Sequence, residues 1–98
     1  MLHTLNSRKH KILVLDDDSR HGTLIKQYLT EQGFHVEVVS DAIALRNLMA
    51  RRRFDLLLLD LTLPGEDGMS VCRKIRDGLN SIPIIMLTAR SDELDSRP

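Results

Sequence analysis

Three short apolar runs punctuate the chain, and each stops abruptly. Ile12-Leu13-Val14-Leu15 gives way to Asp16-Asp17-Asp18, Leu56-Leu57-Leu58-Leu59 gives way to Asp60, and the stretch from Ile82 to Leu87, with Pro83 near its start, gives way to Thr88-Ala89. Apolar residues that are continuous rather than alternating over so short a length predict strands buried on both faces, as in a parallel sheet between two layers of helices. A weaker strand is predicted over His35 to Val39, between the first two runs.

Helical patterns fill the intervals. Ser19 is a suitable N-cap for a helix that places Leu24, Ile25, Tyr28 and Leu29 on one stripe and meets a left-handed stop at Gly33. From Ser40-Asp41, a second stripe of Ala42, Leu45, Leu48 and Met49 ends in Arg51-Arg52-Arg53, cations suited to a helix C-terminus. A third helix is predicted to begin near Asp67-Gly68, to carry Met69, Val71, Cys72 and Ile75 inward, and to end at Asp77-Gly78. Ser91-Asp92-Glu93-Leu94-Asp95 reads as an N-cap and acidic first turn of a fourth. Strands that alternate with helices imply right-handed crossovers and a doubly wound α/β sheet with helices on both faces. Residues 1–10 carry neither period and are read as a disordered lead-in to one domain over 11–98.

Composition narrows the function. Fourteen Lys and Arg balance fourteen Asp and Glu in 98 residues, so the chain lacks the basic field that holds a protein on nucleic acid or on anionic lipid. No apolar run exceeds four residues, which rules out a membrane span within it or the apolar core of a secretory signal. A single cysteine cannot form an internal disulfide, and 42% hydrophobic content can build a core without one. Both features suit a reducing cytoplasm.

The acidic strand ends carry the candidate chemistry. In an open parallel α/β sheet, ligands collect beyond the carboxyl ends of the strands where the strand order reverses. If the first and third strands are neighbours, Asp16, Asp17 and Asp60 share one small volume. Each like-charged pair at about 5 Å then repels by roughly 3 kcal/mol at an effective dielectric of about 20. A hard divalent cation relieves this, and Mg²⁺ needs only one or two carboxylates because it keeps waters and a phosphate oxygen as further ligands. The plainer alternative is that Asp16, Asp17 and Asp18 cap the first helix while Asp60 opens a polar turn. Asp60 is followed by Leu61-Thr62-Leu63-Pro64-Gly65-Glu66-Asp67-Gly68, a loop able to fold back over the rim. A carboxylate beside a bound cation can attack phosphorus and form an aspartyl phosphate. Thr88, ending the next strand, offers a hydroxyl to the transferring group, or else simply bonds its own backbone.

Taken together, Ile12 to Asp18, Leu58 to Gly68 and Pro83 to Ala89 resemble the receiver domains of two-component response regulators. Leu29-Thr30-Glu31-Gln32-Gly33-Phe34 and Leu63 to Gly68 are similar to the OmpR subfamily of transcriptional regulators. The resemblance implies a flavodoxin-like sheet of order 2-1-3-4-5. It implies Asp60 as the phosphoacceptor for a sensor histidine kinase, and Asp16 and Asp17 as the acidic pair that holds Mg²⁺ directly or through water, with Asp60 and the backbone carbonyl of Thr62 as further ligands. It also implies Thr88 as the switch hydroxyl, with Ala89 leaving it room. The family's lysine and switch aromatic belong to a fifth strand beyond Pro98, so the domain over 11–98 is expected to be incomplete at its C-terminus, with order 2-1-3-4. DNA would be contacted only through a separate effector domain. With the fourth strand left as an edge, self-association is expected.

Two competing readings accompany this one. In the first, a truncated receiver binds protein partners without being phosphorylated; in the second, Asp60 is the nucleophile of a Mg²⁺-dependent phosphatase. Thr62 stands where such a phosphatase would place its general acid, and at most the chain catalyses its own phosphorylation. His3, His10, His21 and His35 show no ligand spacing and are read as surface or loop histidines. Arg51-Arg52-Arg53 is read as a solvated helix terminus, and Cys72, Met69, Leu45, Leu48 and Met49 as core. Asp16-Asp17-Asp18 occupies the first turn where a nucleotide-binding fold would carry glycines, which argues against flavin or dinucleotide.

Overall fold

The computed structural model describes residues 10–60, 68–78 and 80–87. Seven elements follow in strict alternation: β1 (Lys11–Leu15), α1 (Ser19–Glu31), β2 (His35–Val39), α2 (Ala42–Arg51), β3 (Leu56–Asp60), α3 (Gly68–Asp77) and β4 (Ile84–Leu87). The four strands form one parallel sheet in the order β2-β1-β3-β4. The expected doubly wound α/β topology is therefore present, with β1 and β3 at its centre. The last strand begins at Ile84, later than its apolar run. Pro83 has no N–H to give a ladder and instead accepts from Leu57 N through its carbonyl at 3.0 Å.

Why β1 and β3 are apolar without alternation is visible in how they divide their side chains. Leu13, Leu15, Leu57 and Leu59 point to one side, where Ala42 and Leu45 of α2 and Val71 and Ile75 of α3 cover them. Ile12, Val14 and Leu58 point to the other, joined by Val36 and packed against Ile25 and Leu29 of α1. Each fully buried leucine contributes about 2 to 3 kcal/mol by leaving water, so neither face can be polar.

The helix ends rest on local chemistry. α1 is capped by Asp18, whose Oδ1 accepts from Arg20 N at 3.0 Å and His21 N at 3.3 Å. Ser19, the cap expected from sequence, is instead the first helical residue, because Asp18 is the residue held in an extended conformation (φ −91°, ψ 107°). At the other end Gly33 adopts φ +101°. Its N–H donates to Thr30 O at 3.0 Å and Phe34 N to Leu29 O at 3.1 Å, the paired bonds of a Schellman stop. Phe34 and Leu29 then pack on the same face of the sheet. Asp41 caps α2 by accepting from Ala44 N at 2.7 Å.

Two expected stripes are narrower than the sequence suggests. On α1, Ile25 and Leu29 turn inward with the buried Gly22, whereas Leu24 and Tyr28 are exposed, at 64% and 61%. On α3, Val71 and Ile75 are buried and Cys72 is half-buried, but Met69 is exposed. At about 100° per residue Met69 lies well outside the arc spanned by Gly68, Val71 and Ile75. Arg52 is not freely solvated: its Nη2 donates to Glu37 Oε2 at 3.2 Å, and its guanidinium lies 5.9 Å from the Phe54 ring centre.

Among the described residues β4 is an edge, and Ile85 is 49% exposed there. Ile85 lies opposite Leu58 in the ladder, so it shares the face that α1 covers. No described helix is long and apolar enough to cross a membrane.

Candidate functional site

The site follows from register. Leu15 stands opposite Leu59 in the β1–β3 ladder, so the chain leaves β1 as Asp16 beside Asp60, the last residue of β3. Asp16 remains tied to the sheet, its N–H donating to Val39 O at 3.0 Å. Both carboxylates are buried, Asp16 at 2% and Asp60 at 6% exposure, while Asp17 beside them is exposed. One carboxylate oxygen from each of Asp16, Asp17 and Asp60 lies within 4.8 Å of the others. The sheet rim thus brings together the three acids read from the sequence.

The three consecutive aspartates do different things. Asp18 caps α1. Asp17 faces solvent at the mouth of the cluster. Asp16 has both oxygens engaged: Oδ1 accepts from Asp18 N at 2.9 Å, and Oδ2 meets Nδ1 of His21. The reading in which all three cap the helix therefore holds for Asp18 alone.

His21 is the site residue that sequence reasoning missed. It lies five positions after Asp16, across a strand–turn–helix junction, where neither the period of a helix nor that of a strand applies. The available signal was its place three residues after the cap. Side chains there reach back across the first turn, as in a capping box. The other described histidines lie elsewhere: His10 stands 3.7 Å from Asp55, and His35 stands 3.4 Å from Glu37. Thr62, Thr88 and Ala89 lie outside the described residues.

Chemically, the cluster is an all-oxygen donor set of three carboxylates, two of them buried, gathered at one point. That combination fits a hard divalent cation, which takes carboxylate oxygens together with waters, and is unsuited to soft metals that prefer sulfur. The opposite rim carries a separate arrangement. Asp55 accepts from Lys11 N through Oδ2 at 2.7 Å while its own N–H donates to Lys11 O at 2.7 Å. The Lys11 amide, followed by the charge of His10, holds this carboxyl below its ordinary range.

Comparison with known proteins places this geometry. The family profile of the response regulator receiver domain matches residues 12–97. The chain is 42% identical over 93 residues to the transcriptional regulatory protein GltR of Pseudomonas aeruginosa, covering 93% of this chain and 38% of that protein. The curated relatives it matches are longer, and the chain spans 37% to 40% of their length. Among solved structures it is similar to the BeF3-activated N-terminal receiver domain of Klebsiella pneumoniae RstA. That likeness has a TM-score of 0.77 and 38% identity, over 88% of this chain and 73% of that one. It is also similar to the receiver domain of the Pseudomonas aeruginosa sensor histidine kinase PA1611, with a TM-score of 0.75 and 34% identity, over 86% of this chain and 70% of that one. The PA1611 structure holds a magnesium ion coordinated in its active-site cleft.

Proposed function

The chain belongs to the family of response regulator receiver domains, and on that footing we propose that it is a phospho-accepting receiver of two-component signalling, with Asp60 as the acceptor. The observation that carries this reading is the gathering of Asp16, Asp17 and Asp60 within 4.8 Å at the carboxyl rim of the sheet. A carboxylate oxygen of Asp60 attacks the phosphorus of a sensor kinase's phosphohistidine. The P–N bond breaks, its electron pair returns to the imidazole, and an aspartyl phosphate remains. Asp16 and Asp17, together with Asp60, would hold Mg²⁺, which would offset the charge of the transferring group. The Thr62 carbonyl as a further ligand and the Thr88 hydroxyl as a phosphoryl contact complete the proposal, resting on the resemblance of Leu58 to Gly68 and Pro83 to Ala89.

The family's general role and the names of the relatives support further parts of the reading. The protein acts in the cytoplasm on the signal of a sensor histidine kinase, and in its full-length form it regulates transcription through a separate DNA-binding domain. Among the described residues β4 is an edge with Ile85 exposed on it, and this supports self-association as well.

The test is intact mass after incubation with Mg²⁺ and a small phosphodonor. One phosphoryl adduct is expected, lost in Asp60→Asn and after chelation of Mg²⁺. Absence of any adduct in the unaltered chain would overturn the acceptor role and leave a protein-interaction module, whereas sustained turnover of a phosphate ester would make it a phosphatase.

A further inference from the structure

Asp16 is buried and both of its carboxylate oxygens are already engaged, one of them by a side chain that no receiver role accounts for. Oδ1 takes the backbone N–H of Asp18, and Oδ2 meets His21 Nδ1. An ionised carboxylate has only lone pairs to offer, so the contact is a hydrogen bond when Nδ1 carries the proton and donates. Each oxygen retains a lone pair after accepting one bond, so the contact does not exclude a cation. It fixes the orientation in which the carboxylate meets one.

The placement of His21 is itself supported from two sides. Asp18 Oδ1 accepts His21 N at 3.3 Å, which pins the first turn of α1. Gly22 then lets that turn lie close to the sheet: a Cβ at this position would stand 3.9 Å from Asp16 Cβ and 3.0 Å from Val38 Cγ1. The ring spans a boundary, with a half-exposed side chain (42%) on an acceptor that is only 2% exposed. A surface ion pair is worth little, but removing the donor from a buried acceptor leaves that acceptor unsatisfied. Hydrogen-bond partners of metal-binding carboxylates commonly change cation affinity by about 10- to 100-fold when removed.

We infer that His21 is a positioning residue for the cation site, its Nδ1–H holding the Asp16 carboxylate in the orientation that binds Mg²⁺. This rests on the reading of Asp16 and Asp17 as Mg²⁺ ligands and assigns to α1 a part in the site beyond closing the first crossover. His21 touches no reacting atom; it acts through Asp16.

The test is a Mg²⁺ titration of the 98-residue chain at one fixed pH, followed by backbone amide NMR, which also reports whether each variant keeps the fold. Two substitutions separate shape from hydrogen bonding. His21→Leu keeps bulk and removes the donor, whereas His21→Asn places an amide N–H near the position of Nδ1. His21→Leu is expected to raise the Mg²⁺ dissociation constant by about 10-fold or more, and His21→Asn to restore it to within about 3-fold of the unaltered chain. Affinity unchanged or tightened in His21→Leu overturns the inference, as does a loss that His21→Asn fails to restore. Asp16→Asn distinguishes the two levels: if it abolishes binding while His21→Leu does not, only the role of His21 falls. If the unaltered chain binds no Mg²⁺, the cation site falls and the inference with it.

Discussion

Gly22 lies against Val38 so closely that a methyl group added to it would stand 3.0 Å from Val38 Cγ1. The first crossover, from β1 through α1 to β2, is thus closed by a glycine inside a helix. Elsewhere such a glycine would be a liability of about 1 kcal/mol relative to alanine. Here the missing side chain sets the distance between α1 and the sheet.

Gly22→Ala is accordingly expected to destabilise the chain by about 1 kcal/mol. The gain in helix propensity is outweighed by crowding against a β-branched side chain with little rotamer freedom. Val38→Ala removes the obstructing methyls, so the double variant should be more stable than the sum of the single effects predicts. Urea denaturation of all four proteins measures this. Additive effects would show that the contact is not what limits the approach.

Asp17 is the exposed member of the rim cluster, and its charge is opposed there by two buried carboxylates. Asp17→Asn should raise the melting temperature of the metal-free chain slightly, an effect of about 0.5 kcal/mol that fades with added salt. Mg²⁺ is expected to raise the melting temperature of the unaltered chain, since a ligand that binds only the folded state stabilises it by mass action, and the same substitution should shrink that rise. An undiminished rise would remove Asp17 from the set of ligands.

At the far rim, the Lys11 amide and then His10 hold the Asp55 carboxyl below its ordinary value of 3.8. A carboxyl depressed in the folded state stabilises that state above the unfolded value, and the contribution is lost as pH falls through the lower, folded value. Asp55→Asn should therefore cost stability above about pH 4 and cost progressively less below it. Equilibrium denaturation across the acid range checks the sign; a penalty that grows on acidification would contradict it.

Ile85 is exposed on β4, the edge strand among the described residues, so replacing it with lysine should cost the fold little while placing a charge on that edge. Light scattering of the unaltered chain is expected to give a mass that rises with concentration, and Ile85→Lys a mass that rises less. A concentration-independent monomer for the unaltered chain would end the self-association proposal.

Much of this architecture was legible in the sequence because burial on both faces leaves a distinctive mark. Ile12 and Leu13 point in opposite directions yet are both apolar, and only a strand covered on two sides requires that. The abrupt change to acid after Leu15 and Leu59 likewise marks Asp16 and Asp60 as neighbours on one rim. What escaped depended on geometry between elements. Periodicity marks Leu24 and Tyr28 as part of a stripe but does not say where along its arc the sheet lies, and both face solvent. Met69 is misplaced for the same reason. Asp18 and Ser19 are both capable caps, and the backbone angle that chooses between them is fixed by how β1 hands the chain to α1. His21 meets Asp16 only once that turn exists.

The triplet Asp16-Asp17-Asp18 also bears on how such a segment tolerates change. A charge count treats its members as equivalent, but one is clamped by a histidine and a backbone amide, one faces the mouth of the cluster, and one ends a helix. Serine is as good a cap as aspartate, so Asp-Asp-Ser preserves every one of these contacts in kind. Ser-Asp-Asp, with the same composition and net charge, leaves His21 facing a hydroxyl and empties the innermost position of the rim. Sequence order within three residues, rather than acidity, is the quantity under constraint.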